Sequence, residues 1–151
     1  MSKRKFPPTQ VDELFELKTK LVLESVKKTI KLHDFIKKIE DQEKKIKAIV
    51  SPKFNVAEIE FSIIVYPEYD GFIGVFLRNY SKEVPSPMSS FTVKDSSGVE
   101  MSREIDDWYV GFGTFLSHEK YREWVKSHGD VLELEVLVTV NSKAEGDGWS
   151  R

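Results

Sequence analysis

SPKFNVAEIEFSIIVYPEYDG, residues 51–71, sets Ile59, Phe61, Ile63 and Val65 in alternation with Glu60, Ser62 and Ile64. That spacing is the repeat of a strand with one face turned to a core. Tyr66-Pro67 and the Tyr69-Asp70-Gly71 turn then end it. Whether its neighbours repeat the pattern decides the fold class.

They do. Gly71 to Asn79 alternates Ile73, Val75 and Leu77 against Phe72, Gly74 and Phe76. Val84-Pro-Ser-Pro87 is a loop, and Ser89 to Lys94 is a short strand closed by the turn signal Asp95-Ser-Ser-Gly98. Ser102 to Leu116 carries Trp108, Tyr109, Phe112 and Phe115 around Gly111 and Gly113, glycines that suit a bulge or a close strand approach. Ser117 is the expected N-cap of a short helix over 118–126, which Gly129-Asp130 ends. In VLELEVLVTV, residues 131–140, Leu132, Leu134, Val136, Val138 and Val140 share one face.

Upstream the reading is more varied. Residues 1–8 form an expected disordered tail. Thr9 caps an expected amphipathic helix over 9–25, with Asp12 and Glu13 in its first turn. Val11, Leu14 and Leu21 give that helix a heptad-like stripe and make it a candidate oligomerisation segment, which Lys18 interrupts. Lys28 to Asp34 alternates as a strand. The Lys, Glu and Gln content of Phe35 to Val50 favours helix, while its apolar residues fit equally a strand end, a charged loop and a new strand over 45–50. The domain is therefore expected over 26–142, with a flexible tail over 143–151. Seven or eight short strands with turns between them predict an all-β fold, an antiparallel β-sandwich, with the N-terminal helix and one short helix before the last strand.

Composition bounds the function. The 151 residues are 40% apolar and 32% charged with a net charge of -2, which predicts one soluble domain without the charge excess of a nucleic-acid binder. No cysteine is present, so disulfides, thiolate catalysis and cysteine-based zinc sites are excluded. The opening MSKRKFPPTQ has no apolar stretch behind it, and no apolar run approaches the roughly 20 residues that span a bilayer. The expectation is a cytoplasmic or nuclear protein with no membrane partner. Asn79-Tyr80-Ser81 matches a glycosylation sequon by chance.

No catalytic constellation emerges. His118-Glu119-Lys120-Tyr121-Arg122 starts like a zinc-binding helix but ends on arginine, so no metal site is expected there. Val110-Gly-Phe-Gly-Thr-Phe-Leu116 lacks the third glycine and the lysine of a phosphate cradle. Asp106-Asp107 and Asp70 sit in strand and turn contexts that do not pair carboxylates. Lys37, Lys38, Lys44, Lys45 and Lys47 alternate with Glu40, Asp41 and Glu43 as a solvated segment. Trp108, Tyr109, Phe112 and Phe72 are the aromatic group suited to docking an extended peptide, since no basic surround equips them for single-stranded nucleic acid.

Taken in order, these segments resemble the MATH (meprin and TRAF homology, or TRAF-like) domain. Ile30-Lys-Leu32-His-Asp-Phe35 occupies the place of its first strand, Ser51-Pro52-Lys53-Phe54 its Ser-Pro-x-Phe element, and Phe61 to Pro67 its strand ending in Tyr-Pro. Phe72 to Leu77, Ser90 to Val93, Val110 to Phe115, the helix and the terminal strand follow, so the resemblance covers about residues 26–141. Ile30 and Val110 stand where the family has tryptophan, and Ala57-Glu58 replaces a frequent glycine–tryptophan, as in divergent members. The resemblance implies an antiparallel sandwich without catalytic activity or cofactor, and it favours the strand end, charged loop and new strand for Phe35 to Val50. It implies an adaptor, for ubiquitin-ligase substrates or for signalling, that binds short linear peptide motifs of protein partners in a shallow groove. Carried over by position, the groove residues are Phe72, Val110 and Phe112, to which Trp108 and Tyr109 on the same segment are added. It also implies that the N-terminal helix could drive a homo-oligomer, dimer or trimer. The competing expectation is a structural module in which that helix self-associates and no peptide binds.

Overall fold

The computed structural model describes residues 21–41, 47–81 and 88–143. The chain runs β1 (Leu21–His33), α1 (Phe35–Glu40), β2 (Ile49–Val50), β3 (Phe54–Val56), β4 (Ile59–Tyr69), β5 (Phe72–Asn79), β6 (Ser90–Asp95), β7 (Glu100–Glu104), β8 (Tyr109–Ser117), α2 (His118–His128) and β9 (Val131–Lys143). One sheet has the order β1-β9-β6-β7; the other has β2-β4-β5-β8, with β3 also pairing β4. Every pairing is antiparallel. This is the sandwich that the alternation predicts. Among the described residues no helix is long and apolar enough to cross a membrane.

The core lies between the sheets, where the strands' alternation sends its apolar half. In β9 the five residues Leu132, Leu134, Val136, Val138 and Val140 are all buried. They meet Ile63 and Val65 of β4, Ile73, Val75 and Leu77 of β5, and Phe91 and Val93 of β6 in one cluster. β4 departs from simple alternation, because Ser62 and Ile64 are buried as well. Its second face is covered too: Ser62 Oγ and Tyr80 OH lie 2.8 Å apart, and Ile64 stands opposite Phe76. The segment 102–116 divides between the layers. β7 belongs to the first sheet and β8 to the second, and Ile105 N–H donating to Ser89 O and Asn79 N–H donating to Trp108 O fix the crossing.

Two expectations need correction. β1 begins at Leu21, so residues 21–25, including the oligomerisation candidate Leu21, are strand and not the end of a helix. The rest of that helix, with Val11 and Leu14, lies outside the described residues. Second, Phe35–Glu40 is helix α1 and not a strand end, with Phe35 and Ile39 buried. Local propensity holds here because a cap arrives from far along the chain. Asp34 adopts a left-handed conformation and supplies no side-chain cap. Instead the Asp130 carboxylate accepts from Ile36 N–H at 3.1 and 3.2 Å, and Asp130 O accepts from Asp34 N–H at 3.0 Å. Of the strand expected next, Ile49–Val50 is present.

The helix α2 behaves as expected at its start, where Ser117 Oγ accepts from Lys120 N–H at 3.1 Å. It ends at Gly129, whose φ of 91° suits glycine. Its buried Tyr121 packs edge-on against Phe35 at 5.5 Å and donates to Asp130 Oδ1 at 2.7 Å. Burial, followed by that bond and by the Asp130 charge, pushes the Tyr121 phenol far above the ordinary tyrosine range. The sign follows from linkage. Folding favours the neutral phenol, so stability is whole below about pH 10 and falls as pH rises above it. Tyr121→Phe should cost about 1 kcal/mol at neutral pH through the lost hydrogen bond. It should also lose less stability than wild type between neutrality and strong alkali. Parallel alkaline limbs in denaturant titrations would contradict this assignment.

Candidate functional site

Residues that do not face the core on β4, β5 and β8 form the outer surface of the second sheet. Tyr66 and Tyr69 come from β4, Phe76 and Arg78 from β5, and Tyr109 from β8. The Phe76 and Tyr109 rings stack at 5.2 Å with 9° between planes. Tyr66 meets Phe76 edge-on at 5.5 Å, Tyr69 lies 5.5 Å from Tyr66 and 5.4 Å from Phe76, and Trp108 lies 5.6 Å from Tyr109. The result is a continuous aromatic platform. Trp108 and Tyr69 are its open members, at 45% and 43% exposure.

Glycines let the platform lie close to the sheet. A Cβ at Gly113 would come within 2.7 Å of the Tyr69 ring, and one at Gly74 within 3.3 Å of Tyr69 Cβ. At Gly111 it would meet backbone, 2.4 Å from Val75 O and 2.6 Å from Phe76 Cα. The close strand approach expected of the Gly111 segment is therefore real. The register of β5 on β8 also shifts between Ile73 and Val75, so the segment combines close approach with a bulge.

Polar groups frame the platform. Tyr66 and Tyr109 hydroxyls are 2.8 Å apart. Burial first, then this bond, pushes the Tyr109 phenol well above the ordinary range, so it stays neutral. At one end the Arg78 guanidinium lies 4.9 Å from the Tyr80 ring and 5.9 Å from the Trp108 ring, an arrangement that holds a cation without an anion. Arg78 forms no ion pair among the described residues. Lys53 approaches the same Tyr80 ring at 4.3 Å and also pairs with Glu60 at 3.9 Å. At the other end, His118 Nε2 is 2.7 Å from Pro67 O and 3.3 Å from Glu68 Oε1, and His118 N–H donates to Gly71 O, tying α2 to the β4–β5 hairpin. Along one side, β8 is the edge strand of its sheet, and Arg103 donates to Gly111 O there at 3.3 Å.

The sequence candidates divide. Trp108 and Tyr109 belong to the platform. Val110 is 3% exposed and lies in the core opposite Leu77, so a ligand on this face cannot reach it. Phe112 is half-buried on the same inner side, opposite Val75, and stacks on the buried Phe91 at 5.5 Å. Phe72 sits at the start of β5, opposite Tyr69 and Ser117, and makes no ring contact with the platform among the described residues. Tyr66, Tyr69, Phe76, Arg78 and Tyr80 escaped the sequence reading, although Phe76 and Arg78 fall on the phase opposite the apolar Val75 and Leu77.

A second concavity lies between α2 and the β6–β7 turn. It is a shallow cleft of about 390 Å³ lined by Ser97, Val99, Lys120, Glu123, Trp124, Ser127 and His128, with the Trp124 and His128 rings stacked at 3.4 Å. Its lining mixes apolar, aromatic and charged residues, and among the described residues no metal-ligating cluster organises it. No family model matches the chain, and no curated protein matches it.

Proposed function

We propose that this chain is a non-catalytic peptide-recognition domain that holds an extended segment of a protein partner across the aromatic outer face of the β4-β5-β8 sheet. The single observation that carries the reading is the platform itself: five rings joined in one run of contacts, two of them open, beside β8, the edge strand of its sheet among the described residues. An extended peptide needs apolar contacts for alternate side chains and main-chain partners, and a platform beside an edge strand offers both. The antiparallel two-layer sandwich and the helix before the last strand support the resemblance to MATH domains. An adaptor role, in ubiquitin-ligase substrate selection or in signalling, follows from that resemblance.

The frame suggests the ligand's chemistry. Arg78, poised between Tyr80 and Trp108, suits a carboxylate at one end of a segment whose other side chains are apolar or aromatic. Peptides selected on the full chain from a random display library should combine aromatic or apolar residues with an acidic one. Arg78→Glu should weaken them by roughly tenfold or more. Enrichment of basic peptides, or an affinity that Arg78→Glu leaves unchanged, would remove Arg78 from the site.

A further inference from the structure

We propose that the free edge of β1 is the interface for a second copy of this chain, pairing antiparallel about a two-fold axis at Val26 so that Glu24 of each copy lies opposite Lys28 of the other.

The sheet edges are unequal. β2 has two residues, β7 is the short charged Glu100–Glu104, and β8 is touched by Arg103. β1 is thirteen residues long, pairs β9 over its whole length, and has no strand on its other side among the described residues. Edges of that length are normally shortened, bent or covered, because unpaired N–H and C=O groups recruit another strand. On β1, Leu23 stands 58% exposed.

Symmetry and charge select the register. In an antiparallel pair, residues directly opposite share a face, so a two-fold axis through the sheet must pass through a residue. An axis at Glu24 sets Glu24 against itself. Axes at Lys27 and Lys28 set each lysine against its own copy, and one at Thr29 sets Lys27 against Lys31. An axis at Ser25 brings no charges together. Among pairings within the described residues of β1, only an axis at Val26 sets opposite charges face to face, Glu24 with Lys28 on both sides of the axis, while Lys27 meets Ser25 and Leu23 meets Thr29. Within one copy those two residues are about 13 Å apart along the strand and do not reach each other. Both are exposed at the edge: Glu24 accepts from Ala57 N–H at 2.8 Å, and Lys28 lies 5.4 Å from the Phe54 ring. The two β1-containing sheets would join into one continuous sheet. The aromatic platform, which belongs to the other layer, would stay open in both copies and gain avidity for repeated ligands.

Sedimentation equilibrium of the full chain tests this. Wild type should dimerise. Glu24→Lys and Lys28→Glu should each weaken the dimer by roughly tenfold or more, through two attractive cross-strand pairs turned repulsive. The double exchange should restore it. Thermal melts check that each variant folds, and peptide binding should be unchanged in all of them, which separates this interface from the platform. A monomeric wild type, a dimer that neither exchange moves, or a double variant that stays dissociated would each overturn the proposal.

Discussion

Replacing Gly111 by alanine is expected to destabilise the domain by about 3 kcal/mol or more, a larger effect than any exposed substitution on the platform. The reason is local. The added Cβ would stand 2.4 Å from Val75 O and 2.6 Å from Phe76 Cα, and both are backbone of the adjoining strand, which cannot swing aside as a side-chain tip can. The sheet must open at the β5–β8 pairing, and the stacked Phe76 and Tyr109 rings above it must separate. Gly113→Ala is the useful contrast, since its nearest neighbour is the partly exposed Tyr69 ring. It should cost less stability and mainly disturb the platform. Urea titrations of both variants check this; equal losses would show that the close backbone approach does not govern β8.

Trp108→Ala is expected to leave stability within about 0.5 kcal/mol of wild type and to weaken a platform-binding peptide by about 2 kcal/mol, roughly 30-fold. Trp108 is 45% exposed and touches Tyr109 and the Arg78 guanidinium, so its removal takes away contact area and loosens the cation together. Phe112→Ala should behave in the opposite way. Its ring stacks on buried Phe91 within the core cluster, so truncation should lower stability by about 2 kcal/mol, with binding lost only as folding is lost. Isothermal titration with a selected peptide, run beside thermal melts, separates the two.

The contrast between those residues shows what the sequence can and cannot carry. β9, β5 and much of β4 were legible because one face is buried and the period of two is written directly in Leu132 to Val140 and Ile73 to Leu77. Helix α2 was legible from Ser117, whose cap is three residues away. Helix α1 was legible only as a propensity, because its cap is Asp130, 94 residues on from Ile36. β7 was obscured by having no apolar face, its residues being almost all exposed. The site was half legible. Composition gathers Trp108, Tyr109 and Phe112 on one segment, but only pairing with β5 shows that Val110 and Phe112 face Leu77 and Val75 in the core while Tyr109 faces out. Of the groove positions carried over from the family, Val110 and Phe112 therefore fall on the core side of β8 and Phe72 at the start of β5.

The proposed function places a partner peptide on the outer face of β4, β5 and β8. Titrating the isotope-labelled full chain with a selected peptide and following backbone amide shifts tests it most directly. The largest changes are expected at Tyr69, Gly74, Phe76, Arg78 and Trp108 to Gly113, with Ser97, Val99, Trp124 and His128 unmoved. Changes centred on the cleft beside α2, with the platform silent, would contradict it.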